Sequence, residues 1–521
     1  MNSFIQRHAA AVIGFLNGFD RLRLRGTKRL LAHVGGMLNF LWQAQVLLKD
    51  FKCFALEATA ALRKATEELV EQAGRPLLYL PSSSTSKEDT ARSIAERDGI
   101  RQGLVCVLSS VEPCWSYEIY RNRTTQELEL RGGQRKCLHY YHYSVDPELG
   151  WLHARVETWF PFTMHVCLNG REWLARQMQA AGIGYQRRDN CFVEVADAEG
   201  AQRLLDAQLR TDWTALLNRI ARQVNPVEAQ WSGTRPVPYY WSVDQSEWAS
   251  DVLFRSAANL AQVYPRLVQH GLLHLHSGDV MRFFGKQLGS PGARFGRFKT
   301  EVVSDLKEWL EGVRVKHRVN ANSVKMYDKQ GSVLRVETTI NDAHDLKVYR
   351  AKEGDEDGPK QWRYLRKGVA DLYRRAEVSQ KANDRYLETL AAVEDTTPLA
   401  ELTAKLCQPV HWQGRRVRAL NPLAVDDAAL LTAVSRGEFT LNGFRNGDLR
   451  PLLFGSREVD AVQQRRQSAA VTRKLRLLRA HRLIRKVPKT HRYVLTDYGR
   501  RAITALLAAC QADTAKLTTA A

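Results

Sequence analysis

SVKMYDKQGSVLRVETTIN, residues 323–341, is two runs of apolar and β-branched residues separated only by Gln330-Gly331. A two-residue connection ending in Gly is a hairpin signal, so the spacing predicts strands over 323–329 and 332–341. Paired across such a turn, Lys325, Tyr327, Arg335 and Glu337 come close to one another. A plain hairpin with cross-strand ion pairs is one reading of that grouping. A site built on the hairpin is the other.

Upstream, GLVCVLSSV, CLHYYHYSVD, WLHARVETWF and FTMHVCLNG between residues 103 and 170 are rich in β-branched and aromatic residues and are bounded by Pro147, Gly150 and Asn169-Gly170. They predict a sheet. Residues 28–75 carry apolar side chains at helical spacing and end at Gly74-Arg75-Pro76, and PSSSTSKED at 81–89 opens a short helix. After Asn225-Pro226, QSEWASDVLFRSAANLAQVYPRLVQHG reads as helix, EGDEDG at 353–358 as a surface loop, and 361–406 as helix again. No internal repeat is visible. The expected fold is α+β and multidomain: a mainly helical region over 1–98, an α+β domain over 99–225, a helical region carrying the hairpin over 226–410, and a winged helix-turn-helix over 420–521.

Of the 521 residues, 44% are hydrophobic, and Lys+Arg 77 against Asp+Glu 56 gives a net charge of +21. This is the composition of a packed protein, and polyanions are the common partners of such an excess. The eight cysteines are scattered with no C-x-x-C pair, which argues against a zinc ribbon and for a reducing compartment. No apolar run reaches the roughly 18–20 residues of a membrane span. Ala9–Phe19, the most signal-like stretch, is interrupted by Asn17 and followed by arginines without a cleavage site. A soluble cytoplasmic protein is expected.

The C-terminal stretch predicts helix (DDAALLTAVSRGE), helix (NGDLRPLLF), long basic helix (QRRQSAAVTRKLRLLRAHRLIRKV), hairpin and closing helix. That order is a winged helix, whose recognition helix enters the major groove. Residues 463–501 hold 13 Lys and Arg against one acid, Asp497. Arg465, Arg466, Arg473, Lys474, Arg476 and Arg479 on the helix, with Lys489 and Arg492 in the wing, are candidate nucleic-acid contacts. Val471, Leu475, Leu478 and Leu483 are expected in the core.

HRYVLTDYGRR at 491–501 resembles the wing and last helix of MarR-type bacterial regulators. Across the whole chain, GFDRLRLRGT at 18–27, VEPCWSYEIYRNR at 111–123, TWFPF at 158–162, CLNGREWLARQM at 167–178, YYWSVDQSEWASD at 239–251, SVKMYDK and LRVETTIN resemble a family of long uncharacterised bacterial proteins. That resemblance implies a gene recurring in several copies per genome, as mobile elements do, and implies no activity. Tyr327-Asp328-Lys329 with Arg335-Val336-Glu337 is similar to the strands of filamentous-phage initiators.

Asp20, Glu112, Asp146, Glu157 and Glu337 lie in or beside apolar segments, where a lone carboxylate is costly unless it meets a metal, an Arg or a donor. Asp20, Glu112, Asp146 and Glu337 are candidate catalytic residues, with Asp20, Asp146 and Glu337 as ligands of Mg²⁺ or Mn²⁺. Structural ion pairs with Arg21, Arg155 and Arg335 are the competing reading. His274 and His276 match the His-hydrophobic-His pattern of rolling-circle initiators. Tyr140, Tyr141, Tyr143, Trp151, Trp159, Phe160 and Phe162 could stack bases, although strand alternation buries about half of them. There is no P-loop, G-x-G-x-x-G after a strand, H-E-x-x-H or G-x-S-x-G. The expected function is a DNA-binding protein of a mobile genetic element, with nuclease- or transposase-like phosphodiester processing in the body. The alternative is a non-catalytic winged-helix regulator or an RNA-binding protein.

Overall fold

The computed structural model describes residues 3–511 apart from 83, 232–236, 274, 276, 287–300, 310–311, 353, 356, 392–398, 437–438, 440–442, 456–459 and 489. The body is built on one 11-stranded sheet. Its strands are β1 (Val12–Thr27), β2 (Leu77–Tyr79), β3 (Gly103–Arg121), β4 (Leu128–Asp146), β5 (Gly150–Glu157), β6 (Met164–Asn169), β9 (Tyr240–Phe254), β10 (Val302–Trp309), β11 (Gly312–Val319), β12 (Asn322–Lys329) and β13 (Val333–Ile340), while β7 (Tyr185–Arg188) and β8 (Cys191–Val195) form a separate hairpin. The order is β10-β11-β12-β13-β9-β1-β6-β5-β4-β3-β2. Only the β2–β3 pairing within it is parallel.

That order contains one plan twice. A lead strand, β1 or β9, is followed by helices and then by a four-stranded meander, β3–β6 or β10–β13, whose last strand pairs with the lead strand. The two lead strands pair antiparallel and join the halves. The repetition lives in topology and left no trace in the sequence. Strands from 1–98, 99–225 and 226–410 share this sheet, so the boundaries expected at 98 and 225 separate no sheets.

Two expected assignments are corrected. Residues 12–27, placed in a helical region, are a central strand, and Leu22 and Leu24 are buried while Arg21 and Arg23 are exposed, the period of two that marks a strand. Residues 245–254, read as the start of a helix, belong to the strand Tyr240–Phe254. From Ser246 to Phe254 every residue is buried, so no polar alternation survives to announce it.

The hairpin at Gln330-Gly331 forms as expected, with φ 57° and 78° at its two residues. Along β11–β13, Val315, Val324, Met326, Leu334, Val336 and Ile340 pack against the helices Ala257–Leu273, Ser277–Phe283 and Leu372–Leu390. Asn383 of the last helix fastens them: its Nδ2 donates to the carbonyls of Trp248 (3.1 Å) and Val336 (3.0 Å), and its Oδ1 accepts from Thr338 (2.7 Å). The alternate positions, including Arg314, Lys316, Arg318, Lys325, Tyr327 and Glu337, belong to the other face.

Beyond the sheet, helices Val425–Ser435, Asn446–Phe454 and Ala461–Ala480, the paired strands Ile484–Lys486 and Tyr493–Leu495, and helix Asp497–Gln511 share a separate core that includes Val471, Leu475, Leu478 and Leu483. Among the described residues no helix is long and apolar enough to cross a membrane. All eight cysteines are free thiols.

Where β6 ends, Asn169 caps the helix Gly170–Ala180 by accepting from the backbone N–H groups of Arg171 and Glu172. A Cβ at Gly170 would lie 1.7 Å from the Phe19 carbonyl oxygen, so only glycine lets this helix begin against β1. Gly170→Ala is therefore expected to cost about 3 kcal/mol or more in thermal or denaturant unfolding. Gly133→Ala, where a Cβ meets nothing within 4 Å, should be close to neutral.

Candidate metal centre and its basic surroundings

The β1–β9 register pairs Phe19 with Trp248 and then Arg21 with Glu247, leaving Asp20 as the extra residue of a bulge. Asp20 Oδ1 accepts from Arg335 Nη1 at 2.8 Å and from Asn190 Nδ2 at 3.0 Å. Arg335 also donates through Nε and Nη2 to Asp251 at 2.6 and 2.8 Å. Arg171, delivered by the capped helix, lies 2.9 Å from Asp251 and 3.5 Å from Asp20. All four side chains are at most 7% exposed. Burial alone would raise the Asp20 carboxyl, but Arg335 and Arg171 overcome it and hold the group below its ordinary range.

Beside this knot stand Glu247 and Glu337. One carboxylate oxygen from each of Asp20, Glu247 and Glu337 lies within 4.8 Å of the others, and all three residues are buried. Glu337 meets Lys325 Nζ at 2.7 Å and accepts from the Tyr327 hydroxyl at 2.8 Å. Glu247 accepts from Gln245 Nε2 at 3.1 Å. The carboxylates of Asp20, Asp251, Glu247 and Glu337 thus face three cations in direct contact, Arg171, Arg335 and Lys325. Arg21, opposite Glu247 in the register, is the fourth cation of the network: burial opposes its charge, but Glu247 and its neighbours outweigh burial. The Glu247 carboxyl is itself raised to about 7, by burial first and by Glu337 second.

Three hard oxygen donors suit Mg²⁺, Mn²⁺ or Ca²⁺ rather than a soft metal. Ligands around Mg²⁺ at about 2.1 Å stand at most about 4.2 Å apart and those around Ca²⁺ at about 2.3–2.6 Å at most about 5 Å, so a group within 4.8 Å has the span of such sites.

The groups around the triad are basic. A cross-strand row runs Arg318, Ser323, Thr339, Glu247, Arg21, and the next runs Lys316, Lys325, Glu337, Ala249, Gly18. Along β1 the row continues through Arg23 and Arg25, opposite Cys167 and His165, with Arg155 beyond on β5. The imidazoles register this field. His153 is pushed down to about 4 by burial and then Arg23 and Arg155, and His165 to about 3 by burial and then Arg155 and Arg25.

Of the carboxylates expected to converge, the structure brings together Asp20 and Glu337 and places the others apart. Asp146 closes the β4–β5 turn, accepting from the N–H groups of Glu148 and Leu149 and pairing with Arg219 at 2.9 Å. Glu112 sits on β3 among Ser110, Tyr141, Lys87 and Arg155, and although burial opposes it these donors hold it near about 2. Neither completes a metal site. Glu247, Asp251 and Arg171 were not expected, because two of them lie in the strand read as helix. The partners of Asp20 and Glu337 are Arg335 and Lys325, not Arg21 and Arg335.

His274 and His276 lie outside the described residues. Tyr140, Tyr143, Trp151, Phe160 and Phe162 are buried in cores, and Tyr141 and Trp159 are half-buried. On the long basic helix Arg465, Arg466, Arg473 and Arg476 are exposed, while Arg479 stacks on Trp412 at 5.0 Å and Lys474 Nζ reaches the Asp426 carbonyl at 3.5 Å. Arg492 is half-buried, and Lys489 lies outside the described residues.

No family model matches the chain, and neither any curated protein nor any solved structure matches it.

Asp251→Asn should destabilise the body by about 3–5 kcal/mol, because it leaves Arg335 and Arg171 buried with half their compensation. Glu247→Gln should act in the other direction. A carboxyl raised to about 7 binds more protons folded than unfolded, so its contribution to stability is full below about pH 4.5 and is lost as pH rises to about 7. Melting curves from about pH 5 to 8 should therefore show the wild type losing stability relative to Glu247→Gln.

Proposed function

We propose that the protein binds nucleic acid and cleaves or rejoins phosphodiester bonds at a divalent-metal site formed by Asp20, Glu247 and Glu337. The observation that carries this reading is the convergence of three buried carboxylates, one from each of three neighbouring strands, amid Arg21, Arg23, Arg318 and Lys325. A bound Mg²⁺ or Mn²⁺ would polarise the phosphoryl oxygens and activate a water or hydroxyl nucleophile. The chain supplies the ligands, Lys325 and Arg21 to offset charge on the phosphate, and Arg335 with Arg171 to hold Asp20 ionised.

The C-terminal unit is read as a winged helix that holds duplex DNA. Its order of three helices, paired strands and closing helix supports this, as do the exposed Arg473 and Arg476 on its longest helix. The resemblance of the chain's motifs to long bacterial proteins with recurring genes suggests a mobile genetic element as the setting. A non-catalytic regulator or RNA-binding protein is the second reading. It is favoured by the Lys325–Glu337 contact of 2.7 Å, which lets the carboxylates serve as strand ties.

Glu247→Gln separates the two, since Glu247 lies outside the Arg335 knot and its loss should leave the fold intact. It should abolish Mg²⁺- or Mn²⁺-dependent cleavage of labelled DNA while duplex affinity stays within about twofold. Wild-type protein that cleaves neither DNA nor RNA with either ion would reject the enzymatic reading. Replacing Arg473 and Arg476 by Gln should reduce duplex affinity and flatten the slope of log K against log[salt] by about 1.8, about 0.9 for each lost phosphate contact. The melting temperature of the unit should not change, whereas Leu478→Ala should cost it about 2–5 kcal/mol.

A further inference from the structure

Arg21, Arg23 and Arg25 follow one another at every second position of β1, so they share one face and stand about 6.8 Å apart along the strand. Among the described residues none of the three makes an ion pair within 4 Å, and Arg318 across the triad makes none either. Arg21 and Arg23 are exposed, as is Arg318. Arg21 already lies in the field of Glu247, Asp20 and Glu337, so the charge left for an outside anion to neutralise is that of Arg23 and part of that of Arg25. Asp244, 3.6 Å from His165, offsets a part of the charge beside Arg25.

Two helices cover parts of this face. The helix Lys87–Arg97 packs Ala91 and Ile94 on Cys106, Leu108, Tyr143 and Trp151 toward β3. The helix Ala198–Gln208 covers the start of β1, where a Cβ at Gly18 would meet Leu205 at 2.5 Å. Between the two covers, the arginines of β1 lead to the acidic triad and Arg318 stands beyond it.

From this arrangement we infer that the sheet face is the track of a single nucleic-acid strand, with its phosphates on Arg25, Arg23 and Arg21 on one side of the triad and on Arg318 on the other. This rests on the reading of the triad as a phosphodiester site and names its substrate as single-stranded. The carboxylates are recessed, with side chains of Asp20 and Glu337 7% and 1% exposed. A phosphate on the outside of a stiff duplex cannot descend into such a recess, whereas a flexible single strand can follow a charged groove into it. The duplex would be held by the C-terminal unit and the separated strand by the sheet.

The test measures binding of a fluorescent oligothymidylate of about 20 nucleotides to the full chain, in EDTA and with excess unlabelled duplex to occupy the C-terminal unit. Replacing Arg23 and Arg25 together by Gln should weaken binding at least tenfold and flatten the slope of log K against log[salt] by about 1.4, about 0.7 for each phosphate contact on a single strand. Arg318→Gln, on a different strand of the sheet, should lose about half that slope. Arg131→Gln removes an arginine paired with Glu129 at 3.1 Å and stacked on Tyr120, and it should bind like wild type. Unchanged affinity and slope in the Arg23/Arg25 variant would overturn the proposal, as would an equal loss from Arg131→Gln. Because no metal is present, a failure here leaves the cleavage reading standing. A failure of cleavage likewise leaves this binding measurement intact.

Discussion

The guanidinium of Arg335 is the point on which the body turns. It is 1% exposed and joins Asp251 on β9 to Asp20 on β1, so one side chain of β13 ties the lead strands of both halves. Removing such a charge from water costs several kcal/mol, and the cost is met here by four hydrogen bonds from its three nitrogens and by Arg171 sharing both carboxylates. A hydrophobic cluster of equal volume would stabilise the junction at least as well. What the ions add is position. They fix the bulge that aims Asp20, and with it the placing of Glu247 and Glu337.

The strand β1 was missed although Leu22 and Leu24 alternate with Arg21 and Arg23, so the fold was legible in the sequence only in part. The β12–β13 hairpin was, because Gln330-Gly331 is a turn no helix would choose and the charged positions alternate with Val324, Met326, Leu334 and Val336. The long C-terminal helix was too, with Val471, Leu475 and Leu478 buried while Arg473 and Arg476 stay exposed. The β9 strand was not. Buried on both faces from Ser246 to Phe254, it offers no alternation there, and its helical reading separated Glu247 and Asp251 from the acids they join.

The candidate site was half legible for a related reason. Asp20 and Glu337 drew attention as carboxylates among apolar neighbours, but so did Asp146 and Glu112, and spacing along a chain carries no information about which strands will be adjacent. Asp146 is satisfied by its own turn and by Arg219, which is how an acid at a strand end commonly escapes its desolvation cost. Only the strand order, with β13, β9 and β1 side by side, tells the two kinds apart.

The raised carboxyl of Glu247 gives the strongest reason to treat the triad as more than a tie between strands. Around Asp20 four carboxylates meet four cations once Arg21 is counted, yet burial and Glu337 leave the Glu247 carboxyl raised to about 7. A proton and a divalent cation compete for the same oxygens, so a group poised near 7 is ready to exchange one for the other at little cost. Arg21, directly opposite Glu247 in the register, makes no ion pair within 4 Å among the described residues, and the field of Glu247, Asp20 and Glu337 holds it charged against the cost of its burial.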